Sequence, residues 1–406
     1  EAESLYFLLM IRNLTIERFK SLVKLELELG RINVFVGANG SGKSNLLEAV
    51  GVLGAAAFGL VDDETLQRRG VRPGVPQLYR TAFPQPNTVQ DIDLGARSDD
   101  GASLRVTLWN PNDDLEAPWS YKTEKLMSVG DRVIASRSPA SAQPPNPNRG
   151  WAALKTVEEQ PGDPAVLLME LLSNYAIYCP NTPSLRGMTQ DQQSREPVGL
   201  AGGRLPEAVG ELIEAATKND LLGEVMDEVR DLLDWASDFS ARSSVGVPLS
   251  PSAARSRMVI QFVDRFMAEG RNTLTGYDAS EGALYILYCA VLALHPKAPK
   301  CLAIDNVDQA LNPRLARKLM DALCSWTSRL NGGRQWLMTA HNPAVLDGLP
   351  LMDPEVRLFT VDRDSRGHTV VKRIDLEAAL HARPNEEWTL SRMWMNGLLG
   401  GGVPNV

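Results

Sequence analysis

INVFVGANGSGKSNLLEAVGVL, residues 32–53, decides how the rest of this chain is read. A β-branched apolar run (Ile32, Val34, Val36) stops at Gly37 and a glycine loop follows. Leu46, Leu47, Val50 and Leu53 then recur at the spacing that puts side chains on one helix face. Between strand and helix stands Gly37-Ala38-Asn39-Gly40-Ser41-Gly42-Lys43-Ser44, which satisfies G-x-x-x-x-G-K-[ST] at every position. Order matters here, because the glycines let backbone N–H groups close around phosphate oxygens at the positive end of the helix that follows. In that arrangement Lys43 reaches the β- and γ-phosphates of a nucleotide and the Ser44 hydroxyl ligates Mg²⁺. Gly37, Asn39, Gly40, Ser41, Gly42, Lys43, Ser44 and Asn45 are therefore the candidate nucleotide-binding residues. An ordinary glycine turn is the competing reading.

A second apolar run, Leu302-Ala303-Ile304, ends in Asp305, the carboxylate such a loop needs on its metal side. Ser44 and Asp305 are the candidate metal ligands. Apolar runs ending in Asp are common, so the run gains weight from its neighbours. Ala279-Ser280-Glu281-Gly282-Ala283 precedes a strongly apolar helix, and Thr339-Ala340-His341-Asn342-Pro343 follows a further strand.

The order IERFKSL, GANGSGKSNLLEA, ASEGAL, LAIDNVDQALNP and MTAHNP resembles the SMC/RecF/OLD branch of ABC-type ATPases, the group labelled AAA-15 or AAA-21. The resemblance covers about residues 11–60 and 275–365 and leaves the middle third unassigned. It implies an α/β P-loop fold like an ABC/SMC head, with ATP and Mg²⁺ as cofactors. It implies that Ser280 and Gly282 cap the γ-phosphate bound by an opposite subunit, so that two chains sandwich two ATP molecules head to tail. His341 corresponds to the switch histidine that meets the γ-phosphate; a satisfied core histidine is the plainer reading. Gln67 and Gln77 both qualify as the Mg²⁺-sensing glutamine and neither fits well.

The departure is Asn306, where the family usually has a glutamate that activates water. An amide cannot take up a proton and cannot be a general base. Lys43, Asp305, Asn306, Asp308 and His341 form the candidate catalytic set, and either Asp308 or a water network takes the base's role or ATP is hydrolysed slowly.

The remainder of the chain bounds the function. With 406 residues, 44% hydrophobic and 23% charged, it suits a soluble globular protein. Its most apolar segment, residues 283–294, falls short of the roughly 18 residues a membrane span needs. A net charge of −8 creates no global field for nucleic acid, so any such contact is local or belongs to a partner. Cys179, Cys289, Cys301 and Cys324 are widely spaced and read as buried free thiols in a reducing cytoplasm. Residues 1–9 read as a remnant preceding the first strand.

The expected organisation is an N-terminal β-rich ATPase lobe (10–135) and a proline-rich loop with a mainly helical insertion (136–270). A lobe with signature, Asp305 and His341 (271–365) and a C-terminal strand with an apolar tail (366–406) complete it. No sustained heptads predict a long coiled coil. Residues 136–150 read as a mobile loop. The cluster Arg68, Arg69, Arg72 and Arg80 reads as a solvated edge or a nucleic-acid or partner surface. Asp362 and Asp364 read as part of a hairpin rather than a metal pair. The tail with Met393, Trp394, Met395, Leu398 and Leu399 reads as docking on its own domain or on a partner.

The functional expectation is an ATP-binding, slowly hydrolysing ATPase that forms a homodimer or higher homo-oligomer. It regulates a separately encoded effector, a nuclease, in prokaryotic anti-phage defence, similar in kind to the Septu, PARIS or Gabija ATPases. A RecF-like DNA repair ATPase and a non-hydrolysing, ATP-dependent scaffold are the rival readings.

Overall fold

The computed structural model describes residues 9–83, 91–110, 119–139, 146–191, 193, 195–249, 256–330, 333–375 and 389–399. The first strands, β1 (Ile11–Phe19) and β2 (Leu22–Glu28), pair antiparallel and turn at Lys20 and Ser21, as their alternation predicts. Then come β3 (Ile32–Val36), the glycine loop, α1 (Lys43–Phe58) and the short α2 (Asp63–Gln67). The meander β4 (Ile92–Ser98), β5 (Ser103–Trp109), β6 (Ser120–Met127) and β7 (Val133–Arg137) joins β1 and β2 in one antiparallel sheet ordered β2-β1-β4-β5-β6-β7. A turn at Asp99–Gly101 joins β4 to β5, with Gly101 at φ 99°.

The middle of the chain holds α3 (Trp151–Lys155), α4 (Pro164–Ser173), β8 (Ile177–Tyr178), α5 (Thr182–Leu185), α6 (Leu205–Ala216) and α7 (Asp220–Leu232). Leu222, Val225, Met226 and Val229, at helical spacing, form the buried stripe of α7. The insertion is mainly helical as expected, but the reading missed the strands beyond α7. There β9 (Ala236–Ser243), β10 (Met258–Asp264) and β11 (Thr273–Thr275) make a small antiparallel sheet ordered β11-β10-β9. The reason is local: β9 buries only Ala236 and Phe239 among polar residues, too sparse an alternation to announce a strand.

The remaining elements are α8 (Glu281–Leu294), β12 (Cys301–Ile304), α9 (Pro313–Arg329), β13 (Gln335–Ala340), β14 (Val356–Arg363), β15 (Thr369–Arg373) and α10 (Leu390–Met395). They complete the sheet that carries the glycine loop, ordered β15-β14-β3-β13-β12-β8. Every pairing from β14 to β8 is parallel, and β15 closes one edge antiparallel to β14. Both faces are covered, so β3, β12 and β13 are buried along their whole length. Ile32, Val34, Val36, Ile304 and Met338 face a core filled by α6, α7, α8 and α9. Phe35, Ala303, Leu337 and Phe359 face a second core shared with α1, α4 and the antiparallel sheet, where Phe35 stacks on Phe359 at 5.0 Å.

Asp362 and Asp364 belong to the β14–β15 hairpin, as read. Of the loop expected at 136–150, residues 140–145 lie outside the described residues. Its flanks are tied by the Arg137 guanidinium, which donates to the carbonyls of Asn146 and Arg149. The tail docks on its own chain: Met393, Trp394 and Leu399 are buried in the first core, and Ser391 bonds Asp347 through both its N–H and its hydroxyl. Cys289, Cys301 and Cys324 are buried, whereas Cys179 is exposed, against expectation, because it lies just past the end of β8. Among the described residues no helix is long and apolar enough to cross a membrane.

Candidate functional site

The glycine loop sits at the C-terminal end of β3, where a parallel sheet presents helix N-termini. Gly42 has φ +110°, and a Cβ there would lie 2.1 Å from the Thr369 hydroxyl. A Cβ on Gly37 would lie 2.1 Å from the Val361 carbonyl. These two glycines are therefore required by close approach of the β14–β15 hairpin. That hairpin props the loop from behind: Thr369 Oγ1 donates to the Ser41 carbonyl at 2.6 Å and lies 2.7 Å from Ser21 Oγ. Asn45 Nδ2 donates to the same Ser21 hydroxyl at 2.8 Å, and Arg363 Nε donates to the Gly40 carbonyl at 2.9 Å.

Inside the loop, Lys43 is folded back, its ammonium donating to the carbonyls of Gly37 at 2.8 Å and Ala38 at 3.0 Å. Burial pushes its pKa down to about 8, against the pull of the Asp305 and Asp308 carboxylates. Ser44 Oγ donates to Asp305 Oδ2 at 2.8 Å, and Thr339 Oγ1 donates to Asp305 Oδ1 at 2.5 Å. Ser41 Oγ is buried without a hydrogen-bond partner among the described residues.

Asn306 stands at φ +62°, in the left-handed region that asparagine tolerates better than most side chains. Its N–H donates to Thr339 Oγ1 at 2.8 Å and its carbonyl accepts from the Tyr285 hydroxyl at 2.8 Å. Asp308 Oδ2 accepts the backbone N–H of His341 at 2.9 Å and that of Asn342 as well. The carboxylate thus ties the turn after β12 to the turn after β13. His341 is exposed, and partial burial together with the Lys43 charge lowers its pKa, so the ring is neutral at pH 7.

Ser280 and Gly282 lie elsewhere. Ser280 caps α8, its exposed hydroxyl accepting the Ala283 N–H at 3.3 Å. Gly282 packs on the turn before α9, where a Cβ would sit 3.3 Å from the Ala310 carbonyl. No hydrogen bond among the described residues joins either to residues 37–45. Gln67 ends α2 and Gln77 is exposed, and neither has a described hydrogen bond to Ser44 or Asp305.

The arginine cluster does not form one surface. Arg69 is buried, and Arg68 pairs with Glu64 in the open. Arg72 is anchored beside the glycine loop, with Nε donating to Glu48 Oε1 at 2.5 Å and a terminal nitrogen 3.2 Å from Asn45 Oδ1. Burial would raise the Glu48 pKa, but Arg72 and Lys20 outweigh it and hold the carboxyl below its ordinary range. Sequence reasoning gave Thr339, Glu48, Ser21 and Thr369 no role and put Arg72 on an edge or partner surface rather than beside the glycine loop. Thr339 stood inside a quoted motif, yet nothing in the motif marks its hydroxyl as a ligand of Asp305.

These residues fit a Mg-nucleotide. The loop's glycines leave a cradle, Ser41 Oγ is orphaned, and Ser44 with Asp305 pairs a hydroxyl and a carboxylate that a hard cation shares. Among the described residues no group of three or more His, Cys, Asp or Glu could hold a metal by itself, which suits an ion that arrives with phosphates. Phosphate binding requires the charged form of Lys43. ATP affinity should therefore be flat below pH 8 and fall above it, by up to about tenfold per pH unit. Titration calorimetry across pH 6.5 to 9.5 checks this, and an affinity rising with pH would contradict it.

Among curated proteins none matches this chain. The family model described as "AAA domain, putative AbiEii toxin, Type IV TA system", named AAA_21, matches residues 32–126 and 166–347, more than half of the chain. The fold is similar to the Smc head bound to the C-winged helix domain of ScpA, with TM-score 0.52 and 14% identity over 91% of this chain and 99% of that chain. It is also similar to the Pyrococcus furiosus Smc head with an extended coiled coil bound to the C-terminal domain of ScpA, with TM-score 0.51 and 12% identity over 92% and 98%. At these identities the likeness concerns the fold alone. The family match takes in both the loop around Lys43 and the strand that sets Asp305 beside Ser44, and the chain belongs to this AAA_21 family of P-loop ATPases with an SMC-head-like α/β fold.

Proposed function

We propose that the protein binds Mg-ATP, closes head to tail with a second copy around two nucleotides, and uses that closed state to control a separately encoded effector in anti-phage defence. The observation that carries the dimer is the division of the site. One chain brings Lys43, Ser44 and Asp305 together, while Ser280 and Gly282 sit on a helix end with no described bond to that loop. A site so divided is completed by a partner's helix end.

Within one chain the chemistry is positioning. Lys43 exchanges its two carbonyls for phosphate oxygens, which are stronger acceptors because they are charged. Ser44 and Asp305 would hold Mg²⁺, which would supply charge neutralisation at the phosphates. Neutral His341 offers one ring N–H toward the γ-phosphate, and Asp308 fixes the backbone that carries it. Because Asn306 cannot take a proton, hydrolysis is slow and serves to time release of the closed state. The same residue supports the rival in which ATP is held and never hydrolysed, acting as a structural clamp. The effector rests on the family description, whose wording of a toxin and a type IV TA system suits a two-component defence unit.

Mixing two inactive variants tests the dimer. In a mixed dimer the intact loop of the Ser280→Arg chain meets the intact helix end of the Lys43→Ala chain in one composite site, while the other site carries both lesions. If subunits exchange, half of the dimers carry one intact site, so the mixture should recover about a quarter of wild-type turnover. Proven exchange with no recovery sinks the head-to-tail arrangement.

A further inference from the structure

A second cleft opens at the edge of the parallel sheet opposite the glycine loop. Residues 37–44 follow the C-terminal end of β3, whereas this cleft is built where strands begin: Asn174 precedes β8, and Pro299 and Lys300 lead directly into β12. Its volume is about 910 Å³, toward the upper end of the ~300–1,000 Å³ typical of small-molecule sites. It lies outside the nucleotide site described above and shares none of its residues.

Its lining combines an aromatic face with a set of cations. Phe58, the last residue of α1, is 55% exposed there, and the Arg69 guanidinium lies 5.3 Å from its ring. Around it stand Arg68, Arg69, Arg195, Lys297 and Lys300, against the carboxylates of Glu170 and Glu196. The cations fall into two groups. Lys297 is neutralised by Glu196 at 3.4 Å and Glu211 at 3.2 Å, and Arg68 by Glu64. Arg69 is held by the carbonyls of Thr65 at 2.8 Å and Ser173 at 2.7 Å, and Arg195 by the carbonyls of Arg68 at 2.9 Å and Asn174. Carbonyl partners fix a guanidinium in space and leave its charge standing. Among the described residues no carboxylate comes within ion-pair distance of Arg69, Arg195 or Lys300. Burial brings Arg69 down to about 10, and the charges of Arg195 and Arg68 push the same way, so this crowding is relieved by an anion.

We propose that this cleft is a second ligand site that takes a nucleoside phosphate, with the base on Phe58 and the phosphate against Arg69, Arg195 and Lys300. Fixed guanidinium groups suit phosphate oxygens, and an exposed aromatic face beside them suits a planar base. The limited size of the cleft and the overall charge of −8 favour a free nucleotide over a nucleic-acid strand, which needs a continuing basic track. The site stands independently of the dimer proposed above.

The test uses full-length Lys43→Ala protein, so that binding at the glycine loop is suppressed, and titration calorimetry with AMP and with GMP. Saturable binding should persist for at least one of them. It should weaken about tenfold in Phe58→Ala and at least tenfold in Lys300→Glu, each built on Lys43→Ala. Both side chains are exposed, so melting temperatures should hold, and Arg69 is left intact because its removal would break the bonds to Thr65 and Ser173. No saturable binding of either nucleotide, or binding that both variants leave unchanged, overturns the site. Inorganic pyrophosphate binding as tightly as the better nucleotide overturns the base contact. A short single-stranded DNA that binds while neither nucleotide competes gives the cleft to nucleic acid and overturns the proposal.

Discussion

Replacing Lys43 by alanine lowers ATP affinity by about 100-fold, and the melting temperature of the unliganded protein stays level or rises. The loss follows from deleting charged hydrogen bonds to phosphate, each worth about 1.5–3 kcal/mol. The effect on the fold has the opposite sign because the buried ammonium is a cost to the empty protein. Its pKa is about 8 in the folded state, below its ordinary value of 10.5, so the native state binds this proton less well than the unfolded chain does. The penalty is fully present below pH 8 and fades as pH rises from about 8 to 10.5. Wild-type stability should therefore gain on that of Lys43→Ala across this window, in melts read by circular dichroism. Calorimetry with Mg-ATP gives the affinity, and an unchanged value would remove residues 37–44 from the nucleotide site.

Turnover is the second large effect. The wild type should hydrolyse ATP below the roughly 1–10³ s⁻¹ typical of enzymes, and Asp308→Asn should reduce what remains by about 10²–10⁴-fold if that carboxylate takes the proton. The asparagine keeps an acceptor for the N–H groups of His341 and Asn342, so ATP affinity should survive the change. Asn306→Glu puts a carboxylate beside the attacking water and should raise the rate, but at φ +62° it also carries strain of about 1–2 kcal/mol and should melt earlier. Asn306→Gly separates the two effects: it relaxes the backbone without adding a base, so it should hold or raise the melting temperature and leave the rate alone. Rapid wild-type turnover untouched by Asp308→Asn would defeat both the timer and the substitute base.

Asn306 also shows how far the sequence could be read. As a letter it was a missing glutamate; as a backbone position it is a left-handed residue whose carbonyl accepts from Tyr285. Either pressure alone accounts for an asparagine, and the second appears only in three dimensions. The loop from Gly37 to Ser44 was legible because its chemistry is contiguous, and Asp305 because an apolar strand ending in a carboxylate follows the same logic. Thr339 and Thr369 were not, since a hydroxyl at a strand end has no periodic or spacing signal. The strand at 236–243 was hidden for want of alternation. Arg72 was grouped by sequence with Arg68 and Arg69, but its partner is Glu48, on the buried side of α1. Phe58 carried no sequence signal of its own, and its exposure beside the Arg69 guanidinium appears only in three dimensions.

The hairpin behind the glycine loop also constrains when the protein becomes competent. Ser21 and Thr369, 348 residues apart, meet at the loop, and β3 is flanked by β13 and β14, both from the last quarter of the chain. A ribosome therefore releases the motif early and its scaffold late. Until the final strands emerge, β3 has no neighbours, Gly42 has nothing to rest on, and Ser44 has no Asp305. Such distant pairing makes folding slow, since long loops must close before any contact rewards them. Chains that stop short of β15 lack this prop, so ATP binding should appear only once synthesis has run through β15.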